Sequence, residues 1–151
     1  MDIAELAAQE AELAYDRFDQ ASAWTLGSAL VRLAQERSLK VSIGVDLGEQ
    51  EAFRCGLPGS TADNDHWLRR KFAVVRRYQH SSLLMATATQ EVPDRLAVLG
   101  LNGEKYAFAG GAFPLVVGGT LAGCVGVSGL TDLEDHALVV EGLRLHHSDL
   151  R

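Results

Sequence analysis

The stretch from Gly110 to Gly129 most restricts what this chain can fold into. Phe113 to Val117 is a short aliphatic and aromatic run, which suits a strand. Gly118-Gly119 follows, a two-residue turn able to take positive φ at both positions. Thr120 to Ser128 is then the return strand of a β-hairpin. Its alternation places Leu121, Gly123, Val125 and Val127 on one face and Ala122, Cys124, Gly126 and Ser128 on the other. The second face carries no bulk, so something approaches the sheet closely there. A packed helix and a flat ligand both satisfy that requirement.

The rest of the pattern surrounds this hairpin. Ile3, Leu6, Ala7, Leu13 and Ala14 form an apolar stripe over residues 2 to about 15. Asp19 offers an N-cap for a helix to about Arg37, with Ala23, Leu26, Leu30, Leu33 and Ala34 facing inward. Gly27 inside it marks a close helix–sheet or helix–helix crossing. Val41, Ile43, Val45 and Leu47 alternate with small or polar residues, and Phe53, Cys55 and Leu57 do the same across a Gly48-Glu49-Gln50 turn. That predicts a first hairpin, ended by Pro58-Gly59.

Thr61 or Asp63 caps the next helix, to about Gln79, with Leu68, Phe72 and Val75 inward and Asp65 and Arg69 spaced as an ion pair. Helical pieces follow at Ser81 to about Glu91 and Asp94 to Leu99. Tyr106 to Phe108 reads as a short strand. Thr131-x-x-Glu134 is a capping box for a last helix that turns Leu133, Ala137, Val140 and Leu143 inward. Tight turns between neighbouring strands make the pairs antiparallel, and the class is α+β. One domain spans residues 1–151.

A net charge of −6 disfavours nucleic acid and anionic membrane surfaces as partners. No apolar run is long enough to cross a bilayer. Met1-Asp2-Ile3-Ala4-Glu5 is acidic, unlike a signal peptide, so the expected location is cytoplasmic. Cys55 and Cys124 are isolated and read as small strand residues rather than a disulfide or zinc pair. His146 and His147 read as exposed or frayed.

The most chemically loaded segment is Asp63-Asn64-Asp65-His66-Trp67-Leu68-Arg69-Arg70-Lys71. Helical spacing aligns Asn64, Trp67 and Lys71, and also Asp63, Trp67 and Arg70. A Trp flanked by Arg and Lys can hold a flat anion by stacking and ion pairing. The plainer alternative is a capped helix with surface ion pairs. Ser128-Gly129 lies where a strand meets a helix N-terminus, a place where backbone N–H groups receive anions. Asp135 and His136 lie one turn on. They are adjacent on a helix and no Gly-x-Ser-x-Gly elbow is present, so they form no hydrolase relay.

Gly110-Gly111-x-Phe113-Pro114, Gly123-x-x-Gly126-Val127-Ser128-Gly129-Leu130 and Glu134-Asp135-His136 together resemble the HbpS-like, GlcG-like (haem-degrading-domain) superfamily. Leu57-Pro58-Gly59-x-Thr61-x-Asp63-Asn64-Asp65-x-Trp67-x-Arg69-Arg70-Lys71, with Arg76 and Ser81-Ser82, resembles its branch of short cytoplasmic proteins of unknown function. The resemblance implies a profilin-like α/β/α layer fold with a five-stranded antiparallel sheet and helices on both faces. It also implies homo-oligomers built from dimers, and haem as a possible cofactor. His136 is the candidate axial ligand, His80 a second.

The foremost reading is a non-enzymatic module binding haem or a similar flat anionic ligand through Asn64, Trp67, Arg70, Lys71, Phe113, Ser128 and His136. The alternatives are an oligomeric protein–protein interaction scaffold and an enzyme acting on a small carboxylate or phosphate metabolite. No residue stands out as nucleophile or base, so the enzyme ranks last.

Overall fold

The computed structural model describes all 151 residues. Six helices flank one four-stranded sheet: α1 (Ile3–Glu12), α2 (Gln20–Glu36), β1 (Ser42–Leu47), β2 (Gln50–Gly56), α3 (Ala62–Tyr78), α4 (Ser82–Ala88), α5 (Arg95–Val98), β3 (Ala112–Val117), β4 (Thr120–Ser128) and α6 (Asp132–Asp149). The strand order is β2-β1-β4-β3, antiparallel throughout. The central hairpin forms as its residues require. Gly118 and Gly119 have φ of +57° and +82°, the left-handed pair that a primed two-residue turn needs.

One face of the sheet carries Ile43, Val45, Phe113, Leu115, Val125 and Val127, packed under α2 and α6 in the main core. The inward face of α2 is as its spacing predicts, with Ala23, Leu26, Leu30, Leu33 and Ala34 all buried. Gly27 lets the helix rest on the ring of Phe53, so the close approach is helix to sheet. Asp19 caps α2 by accepting from the Ser22 N–H at 3.0 Å.

The other face is the small-residue one, and its partner is a helix. Leu68, Phe72 and Val75 of α3 bury themselves against Ala112 and Cys124. A methyl group on Gly126 would come within 2.6 Å of the Phe72 ring and 2.8 Å of Leu68. The flat ligand foreseen as one occupant of this face is therefore excluded along most of its length. Ion pairs lock the helix down: Asp46 accepts from both Arg54 and Arg76, whose guanidiniums flank the Phe72 ring. Arg69 faces Glu51 rather than pairing with Asp65. A bulge shifts the β3–β4 register, with Leu115 opposite Gly123 and Val116 opposite Leu121. The extra residue, Ala122, moves Leu121 onto the α3 face, opposite to the simple alternation.

The sheet has four strands, not five. Tyr106 to Phe108 makes no ladder because its backbone is satisfied elsewhere: Ala107 N–H donates to the Arg70 carbonyl and Phe108 C=O accepts from Arg95. The edge of β3 that a fifth strand would use is also taken. The Ser82 hydroxyl bonds the Ala112 backbone, and Tyr15 makes a one-residue parallel bridge to Val117.

The last helix is rotated from the expected face. Leu133 and Ala137 are exposed, while Asp135, His136, Val139 and His146 point inward with Val140 and Leu143. The histidines near its end are ordered. Thr25 Oγ1 donates to the Ser22 carbonyl, so its oxygen accepts from His146 Nε2–H, and His146 Nδ1 accepts from the Tyr15 hydroxyl, both at 2.8 Å. His147 stacks on Tyr15 with ring centroids 4.1 Å apart and donates to the Leu13 carbonyl.

Gly126→Ala is expected to destabilise the protein by about 1–3 kcal/mol through overpacking against Phe72, whereas Gly103→Ala, whose new methyl meets only Leu96 at 3.6 Å, stays within about 0.5 kcal/mol. Urea unfolding of both variants checks this.

Candidate functional site

The spacing that puts Leu68, Phe72 and Val75 on the buried face of α3 puts Lys71 there too. An ammonium group in a core needs every proton matched. Lys71 Nζ has three, and each meets an acceptor: the Val127 carbonyl at 2.7 Å, the Gly110 carbonyl at 3.0 Å and the Asp135 carboxylate at 3.2 Å. Asp135 in turn accepts from the backbone N–H groups of Leu130, at 3.0 Å, and Gly129, at 3.3 Å. The anion foreseen at the strand-to-helix junction is thus present, and it is the chain's own side chain.

Gly110-Gly111 is needed to let this happen. Gly111 has φ +127°, and a methyl there would lie 2.6 Å from Lys71 Nζ and 2.9 Å from Asp135 Cβ. Burial is the largest influence on both charges. It pulls Lys71 below the usual lysine range and lifts Asp135 above the usual carboxylate range, each opposed by the other's charge.

Above the pair lies a cleft of about 250 Å³ between the first turns of α3 and α6. Asn64, Trp67, Lys71 and Ser128 line it, four of the residues picked out from the sequence. Trp67 is 39 % exposed. Asn64 is oriented by its side-chain oxygen, which accepts from Thr61 N–H at 2.9 Å. Arg70 stands beside the cleft, its guanidinium 4.0 Å from the Trp67 ring centroid and donating to the Gly103 carbonyl. Asp63, Asp132 and Asp135 complete the polar lining. Asp63 is aligned with Trp67 and Arg70 by helical spacing, and Asp135 reads as a helix-start acid beside His136; Asp132 is not singled out by the sequence. The missed signal was a lysine on an apolar helical stripe, which demands a buried anion somewhere in the chain.

Phe113 and His136 lie elsewhere. Phe113 is fully packed in the core under α6, its ring 6.0 Å from that of His136. His136 Nε2 meets Gln9 Oε1 at 2.7 Å, at the base of a groove of about 440 Å³ between α1 and α6. Burial, helped by the Met1 amino group, pulls its pKa down to about 4. His80 pairs with Glu10 on the surface. No three His, Cys, Asp or Glu side chains cluster to hold a metal ion, and no helix is long and apolar enough to cross a membrane. Cys124 is sealed in the sheet, its thiol pushed up to about 12 by burial.

Haem does not fit these histidines as an axially ligated group. His136 Nε2 is capped by Gln9, and its Nδ1 is enclosed without a hydrogen-bond partner. The Trp67 cleft is lined by no His, Cys, Met or Tyr.

Lys71→Met leaves Asp135 buried without its cation and is expected to lower stability by about 3–5 kcal/mol. Lys71→Met with Asp135→Leu is expected to recover only part of that loss, because the Gly110 and Val127 carbonyls and the Gly129 and Leu130 N–H groups then lose their side-chain partners. Denaturant unfolding of the single and double variants measures it.

Comparison with known proteins agrees with this architecture. The chain is 44 % identical over 147 residues to a UPF0303 protein of Rhizobium rhizogenes, covering 95 % of this chain and 90 % of that one. It is 44 % identical over 148 residues to a UPF0303 protein of Streptomyces coelicolor, covering 93 % and 90 %. The crystal structure of the Ybr137w protein superposes with a TM-score of 0.91 at 26 % identity, covering all of this chain and 91 % of that one. A PduOC:heme complex shares the fold with a TM-score of 0.70 at 17 % identity, covering 84 % of this chain and 93 % of that one. The profile described as haem degrading protein HbpS-like matches residues 18–144. By that match and these relatives, the chain belongs to the HbpS-like family.

Proposed function

We propose that this protein is a non-catalytic binding module whose small planar ligand sits in the cleft between α3 and α6 and stacks on Trp67. The observation that carries the reading is the exposed indole beside a rigid polar recess. Trp67 is held by the Arg70 guanidinium, and the floor below it is fixed by the Lys71–Asp135 pair. Large aromatic surface next to a few placed polar groups is the usual composition of a small-molecule site. At about 250 Å³ the cleft falls below the roughly 300–1,000 Å³ of drug-sized pockets, which suits one ring system rather than a tetrapyrrole.

The non-catalytic part rests on the same geometry. Lys71 spends all three protons, so it is neither a free base nor a nucleophile. His136 and His146 are bonded away from the cleft. Haem binding, implied by the resemblance and seen in the PduOC:heme complex of the same fold, would here depend on Trp67 and Arg70 rather than on iron ligation.

Self-association is the second reading. The α1–α6 groove favours it, since Met1 and Leu145 leave apolar surface exposed beside Val140.

A fragment screen followed by amide and indole NMR is expected to place planar hits on Asn64, Trp67, Ser128 and Gly129, with the shifts lost in Trp67→Ala. Haemin is expected to give no histidine-ligated Soret band. Hits clustering away from Trp67, or a saturable Soret band abolished by His136→Ala, would replace this reading with another.

A further inference from the structure

We infer that the cleft selects a neutral or cationic planar ligand that presents hydrogen-bond donors, and rejects anions of the same shape. The inference rests on the binding-module reading above and assigns its ligand class.

The first support is the way the anion position is filled. The Gly129 and Leu130 N–H groups converge at the strand-to-helix junction, and both already serve the Asp135 carboxylate. The one cation in the lining, Lys71, has no proton to spare. An incoming carboxylate or phosphate would find the natural receptor occupied by a side chain on the same chain.

What remains open to a ligand is mostly acceptor. Asp63 and Asp132 are exposed on the cleft wall, and neither carboxylate has a protein hydrogen-bond partner. Ser128 is 4 % exposed, lines the cleft, and its hydroxyl has no protein partner either. That is a hydroxyl on a nearly buried residue of the recess wall with no partner inside the protein, free to accept from a ligand donor. Asn64 contributes its amide group, its oxygen already accepting from Thr61. The two helix N-termini add about half a positive charge each. The Asp63 and Asp132 carboxylates offset both ends, and the Arg70 guanidinium beside the cleft is turned to the Trp67 ring and the Gly103 carbonyl, so the open groups facing a ligand are mostly acceptors.

The indole gives a third, independent support. The protein already lays one planar cation on Trp67, the Arg70 guanidinium at 4.0 Å. The negative face of an indole ring favours such groups over anions.

Benzamidine, benzamide and benzoate share one ring and one shape and differ in charge, so they isolate the question. Trp24 is remote from the cleft, against Phe53 on α2, and Trp24→Phe leaves Trp67 as the sole indole reporter. Titrated into that variant, benzamidine is expected to bind at least tenfold more tightly than benzoate, with benzamide between them. Asp132→Asn and Asp63→Asn, both surface changes, are each expected to shrink the preference for benzamidine over benzoate severalfold. If benzoate binds as tightly as benzamidine, the charge class is wrong and the cleft reading survives. If none of the three perturbs Trp67 at millimolar concentration, the cleft reading falls with it.

Discussion

The architecture depends on one ammonium–carboxylate contact placed where water cannot reach. Lys71 and Asp135 join α3 to the start of α6, and the carbonyls of Gly110 and Val127 tie both to the approach to β3 and the end of β4. Because the pair costs desolvation energy on both sides, its geometry must be complete to be tolerated, and it is. Completing it fixes the rotation of α6, which explains why His136 and His146 turn inward and Leu133 outward. It also fixes the floor of the recess that brings together Asn64, Trp67 and Lys71.

Much of the fold was legible in the residues. The glycine-turned hairpin, the Asp19 and Thr131 caps and the buried stripe of α2 follow from local chemistry that tertiary packing did not override. The absent fifth strand was not legible. Tyr106 to Phe108 has strand-forming residues, but its backbone partners are a helix carbonyl and an arginine far away in sequence. The face of α6 was misread for a related reason. A helical apolar count assigns Leu133 inward, and only knowledge of where Lys71 goes reverses it.

The candidate site was half visible. Asn64, Trp67, Lys71 and Ser128 do meet at one cleft, but spacing alone cannot tell a lysine that binds a ligand from one that is consumed by a neighbour. Phe113 and His136 were grouped with them by motif rather than by space, and the sheet separates Phe113 from the cleft. Membership of the HbpS-like family is carried by residues 18–144, whereas the site's chemistry is carried by a handful of side chains, and the two need not travel together.

The bridge that Tyr15 makes to the outermost strand is held from behind by His146 and His147. The final turns of the chain therefore act, through Tyr15, as a guard for that sheet margin. Clipping those turns would free the Tyr15 segment and bare the backbone of Val116 and Gly118 to any extended peptide nearby. A proteolytic nick near the carboxyl terminus would then surface as fibrillar or strand-swapped material, with the hydrophobic interior still intact.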